Sequence, residues 1–228
     1  KMKIDIKYRP AFSIAYLNLA PQEEVRVEAG AMVSMSSDMS IQTKAQGGLL
    51  KSLTRSVLGR ESFFMNTFQA GANGGFVAVA PPLPGDMFSL PLEHPMLIQS
   101  GSYIASETGI DLDTKWGGAK TFFASEGLIM LHAGGQGQLV LSAYGAIDEI
   151  DLDAGQKITI DTGHLVAFND NIGFQIKKIG GMKSTLFSGE GLVVELTGPG
   201  KVLTQTRSTD QFLSWLIPKL PHSDASSS

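Results

Sequence analysis

Apolar and polar residues alternate along most of this chain with a period of two. Ile4, Ile6 and Tyr8 fall on one side of an extended segment, and Phe12, Ile14 and Tyr16 on one side of the next. Residues two apart share a face of a strand, so residues 3–8 and 11–19 are expected as strands. Arg9-Pro10 separates them, because proline contributes no ladder hydrogen bond. Pro21 marks the next break.

From Val25 the pattern repeats itself. VRVEAGAMVSM resembles LIQSGSYIAS from Leu97, and both resemble ITIDTGHLVAF from Ile158. In each, a strand meets a glycine (Gly30, Gly101, Gly163) and a second strand follows. A further strand and a glycine pair come next: Gly47-Gly48, Gly117-Gly118 and Gly180-Gly181. Gly74, Gly137 and Gly200 then each precede an apolar strand, and they are evenly spaced. Recurrence of glycine at matched points suggests one tight turn used three times, since positive φ is cheap only for glycine.

Three β-units follow from this reading, about 25–80, 96–143 and 157–206. They make one all-β domain over residues 2–220, with 221–228 as a disordered polar tail. A line of three units would leave two long apolar edges. Closure round a pseudo-threefold axis removes them, and is the expected architecture. The links are Pro81-Pro82-Leu83-Pro84-Gly85 and residues 146–156. The second contains IDEIDLD, whose carboxylates alternate with Ile150 and Leu152. That reads as an edge strand with a solvated face; a cation site is the alternative.

Two stretches break the period of two. Residues 49–58, LLKSLTRSVL, place Leu49, Leu50, Leu53, Val57 and Leu58 on one half of a helical wheel. Lys51, Arg55, Ser52 and Ser56 fill the other half. This is a short amphipathic helix inserted in the first unit, and so short a helix must dock on something. Near the C-terminus, STDQFLSWLIPKLP reads as a second short helix, capped by Ser208 or Thr209 and ended by Pro218. Phe212, Leu213, Trp215, Leu216 and Ile217 leave it little polar face. It is either buried or meets a partner, and burial on the body of the domain is the simpler expectation.

The segment GGLLKSLTRSVLGRESFFMNTF, with DTGHLVAF further on, resembles a family of uncharacterised, mostly bacterial proteins. That family includes a eukaryotic mitochondrial-biogenesis protein of the altered-inheritance-of-mitochondria group. The resemblance runs from about Met2 to Leu216. Gly47, Gly48, Leu53, Arg55, Gly59, Glu61, Ser62, Phe64 and Phe68 carry its more specific motif. It implies a triplicated fold grouped with double-stranded β-helices and called TRAP-like, after the tryptophan-sensing RNA-binding attenuation protein. The family carries no agreed activity, so the resemblance transfers no catalytic residue. No motif here matches the attenuation protein's tryptophan and RNA sites.

Composition narrows the chemistry. The 228 residues suffice to bury about 70% of the unfolded chain's surface without staples. There is no cysteine, so disulfides and thiolate metal sites are excluded. The net charge of −4 gives no general attraction to nucleic acid. No apolar run reaches the ~18 residues of a membrane span, and KMKIDIKYRP lacks a signal peptide's apolar region. A soluble cytoplasmic protein is expected, with peripheral contact at a membrane face as an alternative.

Metal sites on related cupin barrels need several converging histidines and a carboxylate. Only His132 and His164 sit in strand-like context here, with Glu126 or Glu190 as candidate companions. Ordinary polar positions at strand ends explain both histidines more simply. There is no nucleophile elbow, no phosphate-loop spacing, and no cofactor motif.

The candidate interface is therefore Leu49, Leu50, Leu53, Arg55, Val57 and Leu58 on the insert, with Phe212, Trp215 and Leu216 on the terminal helix. The expected function is a non-enzymatic, self-assembling scaffold or adaptor, a homo-oligomer with a protein or membrane partner. A TRAP-like small-molecule or RNA sensor is the first alternative, and a metal-dependent enzyme the second.

Overall fold

A computed structural model describes residues 2–42, 65–113, 129–178 and 192–220. The inserted helix, the three glycine pairs, Glu126, Glu190 and the tail lie outside the described residues. Within them the chain is all-β, with one short α-helix near its end.

After β1 (Lys3–Lys7), one order of strands runs three times. A leading strand comes first: β2 (Ile14–Leu19), β8 (Met87–Pro91) or β14 (Ile147–Leu152). A first strand follows: β3 (Glu24–Glu28), β9 (Met96–Gln99) or β15 (Lys157–Asp161). The second is β4 (Met32–Met35), β10 (Tyr103–Glu107) or β16 (Leu165–Asn169). The third is β5 (Met39–Gln42), β11 (Ile110–Asp113) or β17 (Gly173–Lys178). The fourth is β6 (Met65–Ala70), β12 (Met130–Gly135) or β18 (Leu192–Thr197). The fifth is β7 (Gly75–Val79), β13 (Gln138–Ser142) or β19 (Gly200–Gln205).

The pairing repeats as well. The fifth strand lies between the leading and second strands, and the fourth lies between the first and third. Each round thus makes two antiparallel triplets. The second strand carries a register shift at one matched point: between Met32 and Ser34, Tyr103 and Ala105, and Leu165 and Ala167. A bulge held at the same place three times re-aims the same strand three times.

Each round packs its two triplets face to face. Leu17 and Val77 meet Val25, Val27 and Phe68 in one core. Leu139 and Leu141 meet Ile98, Ile110 and Leu131 in the next. Val202 and Leu152 meet Ile160, Val194 and Leu196 in the third. Alternation supplies these cores, though in β2 on the face opposite to the one marked by Phe12, Ile14 and Tyr16: Ala15, Leu17 and Leu19 are buried, Ile14 and Tyr16 are only partly so, and Phe12 lies exposed ahead of the strand.

Neighbouring rounds are fused edge to edge. The first strand of one pairs with the second strand of the next. Val27 on β3 faces Ala105 on β10, and Ile98 on β9 faces Ala167 on β16. These fusions create the two six-stranded sheets, β5-β6-β3-β10-β13-β8 and β11-β12-β9-β16-β19-β14. The remaining triplets form β1-β2-β7-β4 and β15-β18-β17.

The expected closure is not formed among the described residues. It would need β15 to pair with β4, and both remain sheet edges. The links between rounds show an open-ended progression. Ser13 N–H donates to the Gly85 carbonyl, Gly145 N–H to that of Pro84, and Arg207 N–H to that of Tyr144. Each link rests on the one before it, and the last passes into a helix, α1 (Thr209–Leu216). As expected, IDEIDLD forms an edge strand, β14, paired among the described residues with β19 alone. The glycine turns differ in part from expectation: Gly74, Gly137 and Gly200 all have positive φ, and so does Gly30 (+95°). Gly101 and Gly163 instead lie within 3₁₀ turns, Ser100–Ser102 and Thr162–His164.

Candidate functional site

The helix α1 starts from a fixed point and ends in solvent. Ser208 before it is buried, although its side chain makes no cap bond. No residue of α1 is buried, against the simpler expectation of a docked helix. Phe212 meets Tyr144 edge-on with ring centroids 6.2 Å apart and stacks on Trp215 at 6.2 Å. Lys219 lies over the Trp215 ring at 5.2 Å. Beyond these contacts Trp215 is 59% and Ile217 58% exposed, and Leu213 and Leu220 are exposed too. Leu216 is half-buried. The apolar face of the helix was legible in the sequence; that no described residue buries it was not.

The edge strand β4 is the second exposed apolar site. All four of its residues are exposed, including Met32, Val33 and Met35. Its counterparts β10 and β16 are buried at four of five positions. The difference lies in the neighbours. β10 and β16 are flanked on both sides, whereas among the described residues β4 has β7 alone. Sequence reasoning missed this edge, because MVSM looks as fit for burial as its counterparts.

The two histidines hold separate structural bonds. His132 on β12 places Nε2 3.2 Å from an Asp170 carboxylate oxygen. His164 donates from Nδ1 to the Gln205 carbonyl at 2.7 Å. Among the described residues no three His, Cys, Asp or Glu side chains group closely enough to hold a metal ion.

A cleft of about 460 Å³ opens between the N-terminal hairpin and strands β8, β14 and β19, with Ile6, Arg9, His94, Glu149 and Lys201 on its walls. Arg9, Glu149 and Lys201 on its walls are held in ion pairs. Lys201 Nζ lies 2.7 Å from Glu149, and Arg9 makes a two-pronged bond to Asp86 at 2.8 Å in each arm. Burial pushes the Asp86 carboxyl up. The Arg9 guanidinium, the Met87 N–H and the Ser13 hydroxyl outweigh it and hold the group below the usual carboxylate range. The Asp86 bond correspondingly raises Arg9.

A serial array of fused β-sandwiches, with an apolar edge strand and an apolar helix exposed among the described residues, is the class of protein this fold defines. The chain belongs to the mitochondrial biogenesis AIM24 family, whose sequence model matches residues 4–207. It is 28% identical over 233 residues to an uncharacterised protein of Streptococcus pyogenes serotype M6, covering 98% of this chain and 93% of that protein. It also matches an X-ray structure of a Streptococcus pyogenes protein, with a TM-score of 0.80 and 26% identity. That match covers 96% of this chain and all of the other. No described helix is long and apolar enough to cross a membrane.

Proposed function

We propose that this protein is a non-enzymatic, self-assembling scaffold or adaptor whose occupied state is a complex with further copies of itself. One observation carries the reading. Two separate sets of large apolar side chains, on β4 and on α1 with the turn after it, stand exposed while matched strands elsewhere are buried. A contiguous bare apolar surface marks an interaction site. The pairing of Arg9, Glu149, Lys201, His132 and His164 supports a structural rather than a chemical use of those groups. In this reading the TRAP-like character lies in sheets completed between subunits.

Sedimentation velocity over a range of concentrations tests it. The expected result is a discrete multiple of the chain mass. A single-chain mass throughout overturns self-assembly. Flotation with anionic vesicles assigns α1 elsewhere if the chain rises with them only while Trp215 is intact, since exposed Trp beside Lys also suits a lipid interface.

A further inference from the structure

We propose that copies of this chain join head to tail by pairing β4 of one with β15 of the next. The antiparallel register opposes Ser34 to Ile160, Met35 to Thr159 and Ser36 to Ile158. This deepens the self-assembly reading and rests on it.

The chain itself supplies the template. Twice it joins a first strand to the second strand of the following round, β3 to β10 and β9 to β16. Both junctions share one register. Counted from the glycine of each round, the residue four after Gly101 faces the residue three before Gly30: Ala105 and Val27. The residue four after Gly163 faces the residue three before Gly101: Ala167 and Ile98. The next two pairs are Ser106 with Arg26 and Phe168 with Leu97, then Glu107 with Val25 and Asn169 with Met96. One first strand and one second strand remain over. They are β15, at the end of the three-stranded sheet, and β4, at the end of the four-stranded sheet.

The two leftovers are complementary in form. β4 carries the same register shift against its fifth strand, between Met32 and Ser34, that β10 and β16 carry against theirs. A strand bent at the same point as its counterparts presents its open edge as they present the edge that pairs with the neighbouring round. β15 offers the matching edge: Ile160 is buried in its own core, while Thr159 and Lys157 are exposed. Joining the two sheets makes a third sheet, β17-β18-β15 running on into β4-β7-β2-β1. Its central order matches the two six-stranded sheets within the chain. The junction uses unlike surfaces on the two copies, so it propagates until a ring closes or continues as a filament. An exposed apolar edge is otherwise an aggregation hazard.

Cysteine cross-linking tests the seam directly, because the chain contains no cysteine. Met35 and Thr159 are both exposed, so Met35→Cys and Thr159→Cys leave the cores untouched. Antiparallel partners bring Cα atoms to about 4.5–5.5 Å, within disulfide range. The two full-length single variants are mixed, equilibrated and oxidised, and the native mass of each is measured beside the gel. The expected result is a disulfide-linked pair in the mixture and none from either variant alone. Replacing Thr159→Cys by Lys157→Cys, two residues out of register, should lose the cross-link.

A linked pair from Met35→Cys alone, with none specific to the mixture, means β4 pairs with itself and overturns the proposal. So does a purely intrachain bond in the Met35→Cys, Thr159→Cys double variant. An oligomeric mass without any cross-link overturns the seam and leaves self-assembly standing. A single-chain mass overturns both.

Discussion

The Arg9 guanidinium grips the Asp86 carboxylate with both arms, Nε to one oxygen and Nη2 to the other, each at 2.8 Å. Asp86 also accepts from the Ser13 hydroxyl and from the Met87 N–H. One buried carboxylate thus ties the segment ahead of β2 to the start of β8. It is expected that Asp86→Ala costs about 1–3 kcal/mol, because buried donors lose their acceptor. The pH dependence follows from the depressed carboxyl. Its stabilisation is complete above the ordinary value of 3.8 and is lost as pH falls through the lower folded value. Urea unfolding of wild type and Asp86→Ala should differ at neutral pH and converge in strong acid.

Gly85 touches the turn between β13 and β14 so closely that no side chain fits. A Cβ there would fall on the Ala143 carbonyl and lie 2.8 Å from the Gly145 nitrogen. Gly30 has a positive φ of +95° but open space around it. Gly85→Ala should therefore cost about 1–3 kcal/mol through forced backbone movement. Gly30→Ala should cost about 1 kcal/mol through backbone strain alone. Urea midpoints order the two variants, and equal midpoints contradict the link packing.

Tyr103 is fully buried where β10 joins β3, with its hydroxyl 3.0 Å from Ser106 Oγ and 3.4 Å from the Arg26 carbonyl. Tyr103→Phe should cost about 0.5–1.5 kcal/mol at neutral pH. Burial pushes the phenol up, so folding favours its neutral form. That contribution is full below the ordinary value of 10.0 and is lost as pH rises through the folded value. Thermal melts should show Tyr103→Phe gaining on wild type in strong alkali.

Met35 is 37% exposed and lies on the edge strand opposite Val77, outside the buried core clusters. Met35→Lys should leave the unfolding free energy of the single chain within about 0.5 kcal/mol of wild type, as surface changes do. It should weaken assembly, because a charge on an edge strand blocks edge pairing. Trp215→Ser tests the helix in the same way. Loss of mass in Met35→Lys alone places the seam at β4. Loss in Trp215→Ser alone places it on α1.

The all-β class was legible because strands alternate, but the core face of β2 was not: Leu17 and Leu19 are buried, while Phe12, on the face the aromatic residues marked, is exposed. The terminal helix was legible from Ser208, Asp210 and Pro218, which bracket an apolar run. The state of the helix was not, since an apolar face says only that something should cover it. The open edge was less visible still. Met32–Met35 matches Tyr103–Glu107 in apolar character, and only the pairing shows that β10 has two neighbours and β4 one. For His132, strand context was readable, but its Asp170 partner is 38 residues away. The inserted helix at 49–58 lies outside the described residues.

The most direct measurement is the native mass by light scattering on a sizing column, for wild type and for Met35→Lys. The account predicts a defined multiple of the chain mass for wild type and a shift toward the single chain for the variant. A wild-type protein that elutes as a single chain at every concentration would contradict it.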